Sequence, residues 1–146
     1  MPATTMIENR RHAFLAGGGE LGRLIAAFDW ASTSIGPIEV WPQSLKTAVS
    51  LILRSRVPIV MLWGEDGVMI YNDGYSEFAG GRHPQLLGSK VREGWPEVAD
   101  FNDHVMKVGL SGGTHGDSAV EHACMLRTRD ASTIRRRSTE GSRWLR

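Results

Sequence analysis

Cys124 is the only cysteine among 146 residues. A disulfide within the chain and a zinc site built from several cysteines are therefore excluded. Long apolar runs are also missing. Crossing a bilayer takes about 20 consecutive apolar residues, and the best stretch, around Leu51, is broken by Arg54 and Arg56. Glu8, Arg10, Arg11 and His12 stand where a secretory signal needs an apolar segment. These absences predict a cytoplasmic protein with no membrane span. An excess of one charge sign is also missing overall, with 17 Lys and Arg against 16 Asp and Glu and a formal net of +1. The charge is unevenly placed: from Arg127 onward seven arginines face only Asp130 and Glu140. With 41% hydrophobic and 23% charged residues, the chain as a whole has the composition of one soluble globular domain and is too short for two.

What is present falls into blocks. Residues 1–16 show no sustained period and are expected to be flexible. Leu21, Leu24, Ile25 and Phe28 then lie on one face of a helix beginning near Glu20, with Arg23 facing away. Asp29 to Pro37 reads as a connector. Pro42 suits a first helical turn, and Leu45, Ala48, Val49 and Ile52 follow at helical spacing. That second helix should stop near Arg56, ahead of Pro58. The two helices make a leader over 17–56.

The pattern changes at Pro58. Two short apolar runs, Pro58 to Trp63 and Val68 to Tyr71, flank Gly64-Glu65-Asp66-Gly67, which predicts a β-hairpin. Asn72 or Asp73 can cap a brief helix through Ala79, stopped by Gly80-Gly81. One more turn is expected over His83 to Leu87. Val98, Phe101, Val105 and Val108 outline a longer helix from about Glu97 to the glycines at 112 and 113. Ala119 to Leu126 offers one further strand. Beyond Arg127, Ser, Thr and Arg dominate, which predicts a basic, disordered tail over 127–146.

Several short pieces in this order resemble a known family. Phe28-Asp29-Trp30, Ile35-Gly36-Pro37 and Trp41-Pro42-Gln43-Ser44-Leu45 look like the helical leader that precedes PAS domains in bacterial sensor histidine kinases. Tyr71-Asn72-Asp73, His83-Pro84, Leu87-Gly88 and Trp95-Pro96-Glu97 look like the first half of the PAS domain itself. The similarity covers roughly Gly17 to Gly113. It implies an α+β fold with a five-stranded antiparallel sheet, helices inserted after the first hairpin, and a sensory role without catalysis. Residues 57–126 would then be a partial PAS domain. Its last strands are not evident after Thr114, so the chain is expected to be a truncated or frame-shifted sensor fragment. A hairpin without those strands leaves unpaired backbone, and the fold is expected to be marginal or completed by a partner.

Trp63, Tyr71, Tyr75 and Trp95 are candidates to line a small-molecule cavity between sheet and helices; the alternative is ordinary core packing. His104 is a fifth candidate, since some PAS domains bind haem through a histidine on the long helix. Its offset from the following glycines departs from that pattern, so haem is not expected. Flavin-adduct chemistry needs a cysteine shortly after the Leu87-Gly88 pair, and Val91 stands there instead. None of His12, His83, His104, His115 and His122 has a helical i, i+4 partner for a metal. No cofactor is required and no catalytic residue is assigned. An ATP-binding module and a phosphoacceptor helix are absent, so the implied partners are a small-molecule ligand, a kinase, or a second copy through the leader helices.

Two other classes stay open. Gly17, Gly19 and Gly22 satisfy G-x-G-x-x-G, with Glu39 downstream where a ribose hydroxyl would be held. Against a nucleotide-binding enzyme fragment, too few residues precede Gly17 to make the required strand. The arginine tail can attract phosphates, but it lacks interleaved aromatics, and specific nucleic-acid binding is not expected.

Overall fold

The computed structural model describes residues 12–113. Among them are five helices and one two-stranded antiparallel sheet, an α+β arrangement. The chain divides into two compact units, the first ending at Met106 and the second beginning at Lys107. No helix among the described residues is long and apolar enough to cross a membrane. The expected strand at Ala119 to Leu126 and the tail over 127–146 lie outside the described residues.

Helix α1 spans Gly19–Ala27 and buries Leu21 and Ile25 completely, as its apolar spacing requires. Helix α2 spans Gln43–Leu53 and buries Leu45, Val49, Ile52 and Leu53. Pro42 sits just before the first helical residue in an extended conformation. The helix ends sooner than Pro58 alone would dictate, because the carbonyl of Ile52 is taken by Ser55 N–H and by a side chain from elsewhere in the unit. Between the helices, Trp30 and Trp41 pack edge to face with ring centroids 4.9 Å apart. Each indole N–H finds a nearby carbonyl, Trp30 that of Ile25 and Trp41 that of Gly36. These tryptophans therefore pin the leader to itself.

Residues 12–16 depart from the expected loose N-terminus. Ala13–Leu15 form a single 3-10 turn, Leu15 is buried, and Ala16 O accepts a hydrogen bond from Arg54 Nη2. A single anchoring leucine leaves no periodic signal, so the segment's order was not legible from spacing.

The hairpin consists of β1, Val60–Trp63, and β2, Val68–Tyr71, in the register Val60↔Tyr71 through Trp63↔Val68. All four β2 residues are buried, whereas all four of β1 are half-buried. The difference comes from what lies on each outer edge. Met69 N–H donates to Ser89 O, Gly88 N–H to Met69 O and Val91 N–H to Gly67 O, so β2 is flanked on both sides. Because Met69 turns its polar groups away from β1, alternation of the ladder turns those of Leu62 outward too. Among the described residues nothing pairs with that outer edge of β1.

Helix α3, Asp73–Ala79, ends at Gly80 as its sequence predicts. A turn follows over 83–88. Helix α4, Val91–Gly94, is a single turn that no apolar period announces. Helix α5, Ala99–Leu110, follows a 3-10 turn at Pro96–Val98 and contains the boundary between the two units. The hairpin, short helices and longer helix come in the expected order, with two strands among the described residues.

Candidate functional site

The junction between β2 and α3 carries the most connected side chains of the unit. Asn72 is fully buried. Its Oδ1 accepts from Ile59 N–H and Tyr75 N–H, both at 3.0 Å. Its Nδ2 faces the carbonyls of Ile52, Ser55 and Val57 at 3.0, 3.2 and 2.7 Å. This environment fixes which side of the amide is nitrogen, with donors opposite the oxygen and acceptors opposite the nitrogen. The expected helix cap is present, but it is one of several bonds that join the end of α2, the approach to β1 and the start of α3.

Asp73 reaches in the other direction. Its Oδ1 accepts from Leu21 N–H at 2.8 Å and its Oδ2 from Glu20 N–H at 3.1 Å. A carboxylate placed on free amides at a helix N-terminus is stabilised by hydrogen bonds and by the helix field together. Gly19 makes room for it: a Cβ there would stand 2.0 Å from Asp73 Oδ2, and its φ is +65°. At Gly22 a Cβ would meet Leu15 O at 2.9 Å. Two of the three motif glycines, Gly19 and Gly22, are thus accounted for by packing, Gly17 has open space beside it and a φ of +75°, and the anion at this helix end is the chain's own carboxylate.

An aromatic cluster continues from the same junction. Tyr71 and Tyr75 lie 5.3 Å apart between ring centroids, Tyr75 and Phe78 5.3 Å, and Phe78 and Trp95 6.3 Å. Arg82 covers the indole of Trp95 with its guanidinium 4.3 Å from the ring centroid. The same guanidinium donates to Gly94 O and pairs with Glu97, whose carboxyl it holds below the usual range. The indole N–H of Trp95 is buried with no hydrogen-bond partner. Burial raises the Tyr75 hydroxyl above its ordinary range, and the nearby Trp95 indole opposes that rise. Tyr71 is fully buried, and burial followed by the neighbouring Tyr75 hydroxyl pushes its pKa upward.

The Tyr71 hydroxyl is hydrogen-bonded to His83 Nδ1 at 2.9 Å. His83 Nε2 lies 3.8 Å from Glu20 Oε1, at the first turn of α1. With its proton on Nε2, the imidazole accepts from the tyrosine and turns its N–H toward the carboxylate.

The five sequence candidates are therefore not one set. Tyr71, Tyr75 and Trp95 share the cluster, linked by Phe78, which sequence reasoning passed over. Trp63 pairs with Val68 at the other end of the hairpin from Tyr71. His104 lies exposed on α5. A separate open cleft of about 430 Å³ is lined by charged groups including Glu65, Asp66, Lys90, Arg92, Glu93 and Asp103, and by none of the five candidates. Within it Lys90 pairs with Asp66 at 3.5 Å and Arg92 with Asp103. Among the described residues no group of three or more His, Cys, Asp or Glu is arranged to hold a metal ion.

The signals that could have exposed the junction were weak. Asn72 and Asp73 are ordinary cap residues in sequence, and their long-range partners lie up to 53 residues away. No protein-family model, curated protein or solved structure matches the chain.

Proposed function

We propose that the chain is a PAS-type sensory module, the input region of a bacterial two-component sensor kinase acting in the cytoplasm. In this reading the sheet is completed to five strands in the full domain. A small-molecule ligand or partner engages the aromatic cluster, and the resulting shift passes to the leader helices and on to a kinase. The reading assigns no catalytic step and requires no cofactor.

The observation that carries it is the continuity between cluster and leader. Tyr71 and Tyr75 sit on the two sides of the Asn72-Asp73 pair, whose side chains bind the ends of both leader helices. An event that moves the aromatic rings is then adjacent in sequence and in space to the contacts that seat α1 and α2.

The test is a thermal-unfolding screen of the full chain against small aromatic and heterocyclic molecules, run beside Tyr75→Leu. A ligand that binds only the folded state raises the midpoint. The reading expects at least one chemical class to do so for the chain and not for the variant. Hits that stabilise both proteins equally, or no hits with a well-behaved melt, count against it.

A further inference from the structure

We propose that Asn72 and Asp73 form a two-sided joint that couples movement of the β2–α3 junction to both leader helices at once. The two residues are adjacent, yet their side chains grip opposite ends of different helices. Asn72 Nδ2 holds the carbonyls that follow and close α2, at Ile52, Ser55 and Val57. Asp73 holds the amides that open α1, at Glu20 and Leu21. Both residues also belong to the start of α3: Asn72 Oδ1 caps it through Tyr75 N–H, and Asp73 O accepts from Ser76 Oγ.

Three features make the joint stiff. The Asn72 amide is fully buried and satisfied on both sides, so it cannot rotate without orphaning Ile59 N–H and the Ser55 carbonyl. The Asp73 carboxylate occupies the space left at Gly19, where no side chain fits. Its contact with α1 is bidentate, one oxygen to each of two successive amides, which fixes direction as well as distance. A displacement of α3 therefore has to be followed by α1, or these two bonds break.

A second connection runs from Tyr71 through His83 to Glu20, but its last approach is 3.8 Å and beyond hydrogen-bond reach. The coupling is assigned to Asp73 and not to His83. Its use in signalling rests on the sensory reading above; the mechanical coupling does not, and it is testable without any ligand.

The experiment is residue-resolved amide exchange on the full chain. Phe78→Leu perturbs α3 from inside the aromatic cluster, and the amides of Glu20 and Leu21 report on α1. In the otherwise unaltered chain, Phe78→Leu is expected to speed exchange at these two amides by about tenfold, the scale of one lost hydrogen bond. In an Asp73→Ala background the two amides are already fast, and adding Phe78→Leu changes them no further, while Ile59 N–H, bound by Asn72, still responds. In a His83→Gln background the response at Glu20 and Leu21 persists. Where Phe78→Leu fails to fold, Tyr75→Phe is the perturbation and is judged by the same comparison. The proposal is overturned if Glu20 and Leu21 do not respond in the unaltered background, or respond equally with and without the Asp73 carboxylate. A response abolished by His83→Gln overturns it as well.

Discussion

The ring of Phe28 lies against the backbone of Gly88, so close that a Cβ at residue 88 would stand 2.3 Å from the ring's Cζ. Phe28 ends α1 and Gly88 flanks β2, so this contact seats the leader directly on the hairpin. Gly88 also has a φ of +75°, which disfavours any side chain. Gly88→Ala is therefore expected to cost about 2–4 kcal/mol of stability, combining left-handed strain with overpacking. Phe28→Leu in the same chain should recover part of that loss, a non-additivity that chemical denaturation of the two single variants and the double variant would measure.

Asn72 makes the sharpest single-residue prediction. Asn72→Ala leaves Ile59 N–H and the Ser55 carbonyl without a partner and removes one of the bonds at Ile52, Val57 and Tyr75, and is expected to cost about 3 kcal/mol. Asn72→Asp keeps an acceptor for Ile59 and Tyr75 N–H, but turns a carboxylate toward the carbonyls of Ile52, Ser55 and Val57. It should be at least as damaging near neutral pH. Equilibrium unfolding that finds Asn72→Asp close to the unaltered protein would contradict the described amide network.

Tyr71 and Tyr75 are the only tyrosines in the chain, so phenolate absorbance reports on the cluster alone. Burial raises both hydroxyls above their ordinary value near 10. The folded state thus favours the neutral phenols. That contribution to stability is complete below the ordinary value and is lost as pH climbs above it. An alkaline titration should show little phenolate around pH ~10, then a steep rise coincident with loss of helical circular dichroism. Two ordinary, gradual titrations with the fold intact would place the rings in water.

Much of the backbone was legible because its signals are local. The helical spacing of Leu45, Ala48, Val49 and Ile52 announced α2, and two apolar runs around Gly64-Glu65-Asp66-Gly67 announced the hairpin in its observed position. The cap at Asn72 and the stop at Gly80 bounded α3. The site was less legible for a physical reason. A hydrogen bond from Asp73 to Leu21 spans 52 residues, and no period or spacing records a partner that distant. Gly19 and Gly88 read as flexible or motif glycines, although each is small because another side chain occupies the space beside it. The one-turn α4 is too short for periodicity, and its role in covering the edge of β2 comes from the backbone bonds of Ser89 and Val91.

The central claim is that the leader helices and the hairpin respond as one body. Native-state amide exchange against denaturant tests it most directly, following Ile25 in α1, Val49 in α2 and Ile70 in β2. The account predicts that the three amides converge on one opening free energy and one denaturant dependence, because the Asn72-Asp73 joint and the Phe28–Gly88 contact leave no element free to open alone. If Ile25 and Val49 open at distinctly lower denaturant than Ile70, the leader is a separately melting appendage, and an event at the aromatic cluster has no rigid path into it.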